Sequence, residues 1–138
     1  MPKPETGQTI LVIDDDVSIC KVAQRRLEQE GYRVLTALDG SEGLKVAGSE
    51  LPNLILLDIM MPIMDGREVL RRLKADPNTK SIPVILLTVI GENEDIYASI
   101  MAGDASYLAK PYDPQQLLDK IRSMLSKTAG KPDQPAGS

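Results

Sequence analysis

Five apolar runs recur along the chain at nearly even spacing, and segments of helical periodicity separate them. The runs are TILVID at 9–14, YRVLTA at 32–37, NLILLD at 53–58, PVILLT at 83–88 and ASYLAK at 105–110. The first, third and fourth are almost continuously aliphatic, which is typical of parallel strands covered on both faces, whereas the second alternates and indicates an edge strand. The pattern predicts an α/β fold, a three-layer doubly wound sandwich around a five-stranded parallel sheet.

The segments between the runs begin and end with residues that favour helix termini. At three helix starts an Asp is followed three residues later by Glu or Gln, as in a capping box: Asp39 with Glu42, Asp65 with Glu68, and Asp113 with Gln116. Gly31 and Gly103 lie where C-terminal caps are expected. We therefore expect a helix after each strand.

Residues 9–127 are long enough for one domain with its own core. Residues 1–8 are expected to form a flexible N-terminal arm and residues 128–138 a disordered linker or tail, because both are short, polar and rich in Pro and Gly. No apolar run approaches the roughly 18 residues of a membrane span, and no cleavable signal is evident at the N-terminus. These features predict a cytoplasmic protein with no membrane contact.

Composition excludes several classes of function. A net charge of −4 and 3% aromatic residues provide neither a basic stripe for a phosphate backbone nor stacking platforms, so no direct binding of nucleic acid is expected. The chain has no histidine, which excludes Ser-His-Asp and Cys-His catalysis and a phosphohistidine on this chain. Cys20 is the only cysteine, and its apolar neighbours predict a buried, inert side chain.

Polar residues end four of the five runs: Asp14 followed by Asp15 and Asp16, then Asp58, Thr88 and Lys110. Because ligands collect at the carboxyl ends of parallel strands, we expect these side chains to converge on one rim of the sheet. Taken singly, each has an ordinary explanation as a helix cap, a strand former or a solvated charge. The combination favours a binding site.

Three consecutive aspartates need a compensating charge, because neighbouring carboxylates repel each other. Mg²⁺ usually takes one or two protein carboxylates together with phosphate oxygens. The sequence therefore predicts a site for a divalent cation and a phosphoryl group, with the remaining aspartate free to cap the next helix.

These residues resemble the receiver domain of two-component response regulators. The motifs VIDDD, LILLDIMMPIMDG, VILLT and YLAKP occur in the family's order, and the resemblance covers residues 9 to 126. It implies the flavodoxin-like strand order 2-1-3-4-5. It also implies a phosphoprotein of a phosphorelay, which takes a phosphoryl group from a sensor histidine kinase or a histidine phosphotransfer protein and signals to an output partner that the sequence does not identify.

The resemblance assigns a role to each residue at the rim. Asp58 is implied as the phosphoacceptor that becomes an aspartyl-phosphate. The implied Mg²⁺ ligands are Asp14, Asp15, Asp58 and the backbone carbonyl of Met60. Thr88 and Lys110 are implied to bind the phosphoryl group, and Thr88 with Tyr107 to form the switch.

Neighbouring residues also match the family. Pro111 corresponds to its cis-proline turn, and Met61, Pro62 and Gly66 to its loop after the third strand. Met60 and Ile90 occupy the positions that flank the path of hydrolytic water, and both are apolar, so slow self-dephosphorylation is expected. Val89 departs from the usual small residue after Thr88 and is expected to narrow access to Asp58.

The sequence also suggests a dimer surface. Ile96, Tyr97, Ile100 and Met101 give the helix expected before the fifth strand more apolar surface than one buried face needs. A phosphorylation-dependent homodimer through this region is the resulting hypothesis. The chain is not expected to be an enzyme beyond its own Mg-dependent phosphorylation and dephosphorylation.

Three alternatives remain open. A phosphatase of the haloacid dehalogenase type would also use a strand-end Asp, but it needs an acid two residues later, where Met60 stands. A flavodoxin-like flavin binder would place Ser, Thr and Gly, not three aspartates, after the first strand. A receiver used only as a dimerising scaffold would not need Asp58, Thr88 and Lys110.

Overall fold

A computed structural model describes residues 6–89 and 105–130 of the chain. Its strands are β1 (Thr9–Ile13), β2 (Arg33–Ala37), β3 (Leu54–Asp58), β4 (Val84–Val89) and β5 (Ser106–Lys110). Its helices are α1 (Val17–Gln29), α2 (Gly40–Glu50), α3 (Gly66–Ala75) and α4 (Pro114–Gly130). Each apolar run of the sequence forms a strand within one residue of the predicted bounds.

The five strands form one parallel sheet in the order β2-β1-β3-β4-β5. This confirms the predicted fold and the assignment of β2 to an edge. Every residue of the central strand β3 is buried, which explains why its sequence is aliphatic throughout.

The core lies in two layers, one on each face of the sheet. Alternate residues of the strands point to opposite faces. Ile10, Val12, Leu54 and Leu56 pack with α1 and α4, whereas Leu11, Ile13, Ile55 and Leu57 pack with α2 and α3. The sheet is thereby covered on both sides, and its carboxyl edge is the surface on which strand-end side chains meet.

The helix termini follow the predicted capping chemistry. Asp39 accepts a hydrogen bond from the amide of Glu42, and Asp65 accepts from the amides of Arg67 and Glu68. At α4, the capping box is reciprocal, because Gln115 N donates to the Asp113 carboxylate while Asp113 N donates to the Gln116 side chain.

Gly31 forms the predicted C-terminal cap of α1. Its φ of 94° lies in the left-handed region. The amides of Gly31 and Tyr32 donate to the carbonyls of Glu28 and Leu27, which is the hydrogen-bond pattern of a Schellman motif.

Several predicted features lie outside the described residues. They are Ile90, the apolar set Ile96, Tyr97, Ile100 and Met101, and the cap at Gly103. The domain boundaries at residues 9 and 127 lie within the described residues but stay predictions, and α4 extends past residue 127 to Gly130. Among the helices that the structure describes, none is long and apolar enough to cross a membrane.

Candidate functional site

Asp14 and Asp58 lie at the carboxyl ends of two neighbouring strands, β1 and β3, and therefore at the same edge of the sheet. Asp14 directly follows β1, and Asp58 is the last residue of β3. The parallel register pairs Ile13 with Leu57, so the two aspartates occupy equivalent positions on adjacent strands. The topology therefore brings together carboxylates that are 44 residues apart in the sequence.

The carboxylates of Asp14, Asp15 and Asp58 form one cluster. One oxygen of each lies within 4.8 Å of the others. Asp14 and Asp58 are buried, with 1% and 4% of their surface exposed, whereas Asp15 is exposed. Within the described part of the chain, this is the one group of acidic side chains placed to share a metal ion.

Asp14 has the least favourable environment of the three. Its Oδ1 accepts a hydrogen bond from Asp16 N at 3.0 Å, but its buried Oδ2 has no hydrogen-bond partner among the described residues. Burial raises the pKa of Asp14 from 3.8 to about 6, and the negative charges of Asp58 and Asp15 add to the rise. A bound cation would supply the missing partner.

Asp58 is held from two sides. Its Oδ1 accepts hydrogen bonds from Lys110 Nζ at 3.0 Å and from Met60 N at 3.2 Å. Lys110 ends β5 and reaches across the edge of the sheet to make this ion pair. The ammonium group thereby neutralises part of the negative charge of the carboxylate cluster.

Asp16 has a different role from its two neighbours. Its Oδ1 accepts hydrogen bonds from the amides of Ser18 and Ile19, so it is the N-cap of α1. The three consecutive aspartates thus divide into two that face the site and one that caps a helix, as the sequence predicted.

Thr88 and Tyr107 lie on neighbouring strands, β4 and β5. Thr88 is buried near the carboxyl end of β4, one position beyond Leu87, the register partner of Asp58. Tyr107 is 37% exposed and lies opposite Leu86, closer to the other end of the sheet. The structure thus places Thr88 at the rim and shows Tyr107 as a partly exposed aromatic residue.

The loop after β3 is shaped around Asp58. Met61 is buried, and a Cβ added to Gly66 would lie 2.6 Å from the carbonyl oxygen of Asp58, closer than real contacts allow. Gly66 N also donates to Ile59 O at 3.0 Å. Glycine at this position therefore lets the start of α3 approach the carboxyl end of β3.

The Lys110–Pro111 peptide bond is cis, as the resemblance implies. It is followed by Tyr112, a residue that the sequence did not single out. Burial raises the pKa of the Tyr112 phenol, and the negative charges of Asp14 and Asp58 add to the rise. Its position two residues beyond Lys110 was the only signal available in the sequence.

Cys20 is buried and donates its thiol to the carbonyl of Asp14 at 3.3 Å. Burial and the charge of Asp14 raise the pKa of the thiol to about 11, so the thiolate is disfavoured. The prediction that Cys20 is buried is confirmed.

Of the two residues predicted to slow hydrolysis of the aspartyl-phosphate, the structure describes Met60 but not Ile90. Met60 is exposed beside Asp58, with 61% of its surface accessible. Ile90 and the side chain of Val89 lie outside the described residues.

The site fits a hard divalent cation, because it offers a carboxylate cluster with one buried, unpartnered oxygen.

Comparison with known proteins agrees with this geometry. The family model described as "Response regulator receiver domain" matches residues 10–122. The DNA-binding dual master transcriptional regulator RpaA of Synechocystis sp. is 40% identical over 119 residues, which are 86% of this chain and 49% of that protein. Response regulator PleD of Caulobacter vibrioides is 42% identical over 115 residues, which are 83% of this chain and 25% of that protein. The chain thus spans half or less of these relatives.

A solved structure extends the comparison to the metal. The receiver domain of sensor histidine kinase PA1611 from Pseudomonas aeruginosa has a magnesium ion coordinated in its active-site cleft. It is 30% identical to this chain with a TM-score of 0.77, and the match covers 88% of this chain and 99% of that one. The chain belongs to the response regulator receiver domain family of two-component systems.

Proposed function

We propose that Asp58 accepts a phosphoryl group from a phosphohistidine on a sensor histidine kinase or histidine phosphotransfer protein. A carboxylate oxygen of Asp58 attacks phosphorus, the phosphorus–nitrogen bond breaks, and the histidine nitrogen keeps the electron pair. The product is an aspartyl-phosphate. The observation that carries the proposal is the position of Asp58, which is buried within a carboxylate cluster and held by Lys110.

Asp14, Asp15 and Asp58 would hold Mg²⁺, with the carbonyl of Met60 as a further ligand. When bound, the ion neutralises phosphoryl oxygens and the charge that develops during transfer. Met60 N already contacts Asp58 Oδ1, which places this peptide at the site. The chain's own contribution is to position the nucleophile and to exclude water around Asp14 and Asp58.

Lys110 is the residue that changes partner in this scheme. Before transfer, the ammonium group of Lys110 forms an ion pair with Asp58. After transfer, it would bind one phosphoryl oxygen, and the Thr88 hydroxyl would donate a hydrogen bond to another. Movement of Thr88 toward the phosphoryl group would favour an inward Tyr107 and so change the exposed surface at β5. That surface, and an expected dimer through Ile96, Tyr97, Ile100 and Met101, would carry the signal to an output partner.

No activity on a separate substrate is proposed. Two residues beyond Asp58, where a phosphatase of the haloacid dehalogenase type needs an acid, the chain has the apolar and exposed Met60. The covalent chemistry is limited to phosphorylation of Asp58 and slow hydrolysis of the product. Location in the cytoplasm, where kinases of this class act, belongs to the same proposal.

The test is to treat the protein with acetyl phosphate and Mg²⁺ and to locate the modification by mass spectrometry. Wild type should be labelled at Asp58, and Asp58→Asn should not. Asp39→Asn is the matched control, since Asp39 caps α2 outside the cluster. Equal labelling of wild type and Asp58→Asn would overturn the proposal.

A further inference from the structure

Met60 carries the most exposed thioether among the methionines that the structure describes. It is 61% exposed, whereas Met61 is 7% exposed. Met64 and Met124 pack against the two core layers, and a Cβ built on Gly40 would lie only 3.1 Å from the sulfur of Met64. Packing thus covers the other described thioethers and leaves that of Met60 open to solvent.

The backbone holds this exposed side chain beside the acidic cluster. Met60 N donates to Asp58 Oδ1 at 3.2 Å, and Met61 N donates back to Ile59 O at 3.1 Å, so the chain turns at Met60. The methionine side chain is unbranched and has three rotatable bonds, which leave its sulfur free to move near the Asp58 carboxylate. A chemical change at this sulfur therefore takes place next to Asp58.

The single thiol of the chain does not compete as a site of oxidation. Oxidants react with the thiolate, but Cys20 is 3% exposed, and burial raises the pKa of its thiol to about 11. A thioether has no proton to lose, so its susceptibility depends mainly on access to solvent. Within the described part of the chain, Met60 is therefore the sulfur most open to an oxidant.

We propose that Met60 is a site of reversible oxidation by hydroperoxides, and that this oxidation shortens the lifetime of the aspartyl-phosphate at Asp58. The thioether sulfur attacks the outer peroxide oxygen and the O–O bond breaks. The departing oxygen takes up the proton of the transferred oxygen and leaves as an alcohol, or as water from hydrogen peroxide. Sulfur loses two electrons, and the peroxide gains them. The product is methionine sulfoxide, which reductases return to the thioether.

The effect on Asp58 follows from hydrogen bonding, and this part rests on the proposed function. The thioether of Met60 is a weak acceptor, whereas the sulfoxide is polar and its oxygen accepts hydrogen bonds strongly. Beside Asp58, this oxygen can orient a water molecule toward the phosphoryl group and so ease hydrolysis. Oxidation should shorten the lifetime of the aspartyl-phosphate roughly three- to fivefold.

The first experiment maps oxidation without phosphoryl chemistry. The full chain is treated with hydrogen peroxide in buffer that contains a chelator, and mass spectrometry follows sulfoxide formation at each methionine. In folded protein, Met60 should react roughly tenfold faster than Met61, in line with their exposures of 61% and 7%. In urea the two rates should converge, which controls for intrinsic reactivity. Equal rates at Met60, Met61 and Met64 in folded protein would overturn the modification site.

The second experiment measures phosphate release from protein phosphorylated with acetyl phosphate before or after treatment with peroxide. Release from wild type should be faster after oxidation and should return to its first rate after treatment with a methionine sulfoxide reductase. Met60→Leu cannot be oxidised at this position, so its lifetime should not respond to peroxide. Met60→Gln carries an amide oxygen at the same position of the side chain as the sulfoxide oxygen, and it should release phosphate quickly with or without peroxide. Met124→Leu is the matched control and should respond as wild type does.

The outcomes separate this inference from the proposed function. Absence of labelling at Asp58 in reduced protein would refute the proposed function, and the first experiment would still decide whether Met60 is the site of oxidation. Normal labelling with equal lifetimes in oxidised and reduced wild type would overturn the effect on Asp58. Acceleration that persists in Met60→Leu would assign the effect to another residue and would overturn the role of Met60.

Discussion

Lys110 Nζ lies 3.0 Å from Asp58 Oδ1, an ion pair between the last residue of β5 and the last residue of β3. Asp58 is almost fully buried, so the ammonium is the main compensation for its charge in metal-free protein. Lys110→Ala should therefore lower the free energy of unfolding by about 1–3 kcal/mol without Mg²⁺. Because the same ammonium repels a cation, the variant should also bind Mg²⁺ more tightly.

Urea unfolding with and without Mg²⁺ measures both effects of Lys110→Ala. Lys45→Ala is the control, since Lys45 is exposed on α2 and far from the cluster in sequence. Weaker Mg²⁺ binding in Lys110→Ala than in wild type would contradict the expected repulsion.

The raised pKa of Asp14 predicts an unusual dependence of stability on pH. Its folded value of about 6 lies above the ordinary 3.8, so the folded state holds a proton that the unfolded state has released. This contribution to stability is fully present below the unfolded pKa and is lost as pH rises through the folded pKa. Near pH 8, Asp14→Asn should be more stable than wild type by about 1–3 kcal/mol in metal-free buffer.

Urea unfolding of Asp14→Asn and wild type at a series of pH values tests this prediction. The difference should shrink as pH falls from about 6 to about 4, because wild-type Asp14 becomes protonated. A variant less stable than wild type near neutral pH would mean that the buried carboxylate is stabilising as an anion.

Adjacent aspartates should respond differently to substitution. Asp15 belongs to the carboxylate cluster, whereas Asp16 caps α1. In wild type, Mg²⁺ at tenfold excess over Kd should stabilise the fold by about 1.4 kcal/mol. Asp15→Ala should lose most of this gain.

Asp16→Ala is the matched control for the metal experiment. It should keep the gain from Mg²⁺ while losing about 1 kcal/mol of stability with its cap. Thermal unfolding of both variants over a range of Mg²⁺ concentrations measures the two effects. Equal Mg²⁺ responses of Asp15→Ala and wild type would remove Asp15 from the ligand set.

Gly66 and Gly48 should respond to alanine with opposite signs. A Cβ at Gly66 would collide with the backbone of Asp58, whereas a Cβ at Gly48 in α2 would enter open space. Gly66→Ala should lower the free energy of unfolding by about 1–3 kcal/mol and displace Asp58, and Gly48→Ala should raise it by about 0.5–1 kcal/mol. Chemical denaturation of both variants checks the signs, and a neutral Gly66→Ala would mean that the loop relaxes freely.

The phosphorylated protein should lose its phosphoryl group slowly. Met60 beside the site and Ile90 at the matching family position are apolar and cannot orient a water. The aspartyl-phosphate of wild type should last roughly an order of magnitude longer than that of the double variant that carries Met60→Asn and Ile90→Glu. Phosphate release from purified phosphoprotein measures the rate, with Leu38→Asn as a control on an exposed apolar residue after β2. Faster release from wild type than from the double variant would refute the prediction.

Local structure and the composition of the rim could be predicted from the order of the amino acids. Aliphatic runs and capping residues depend on neighbours in the chain, so the strands, the cap at Asp39 and the Schellman glycine Gly31 could be predicted from periodicity and local hydrogen bonding. Because parallel strands share one carboxyl edge, the convergence of Asp14 and Asp58 followed from the fold class.

The surroundings of each of these residues depend instead on how the folded chain packs. The burial of Asp14, which raises its pKa and leaves Oδ2 without a partner, depends on the packing of elements distant in sequence. The same is true of the close contact between Gly66 and the carbonyl oxygen of Asp58. Desolvation and shape are properties of the assembled surfaces, and a linear pattern of residue types does not contain them.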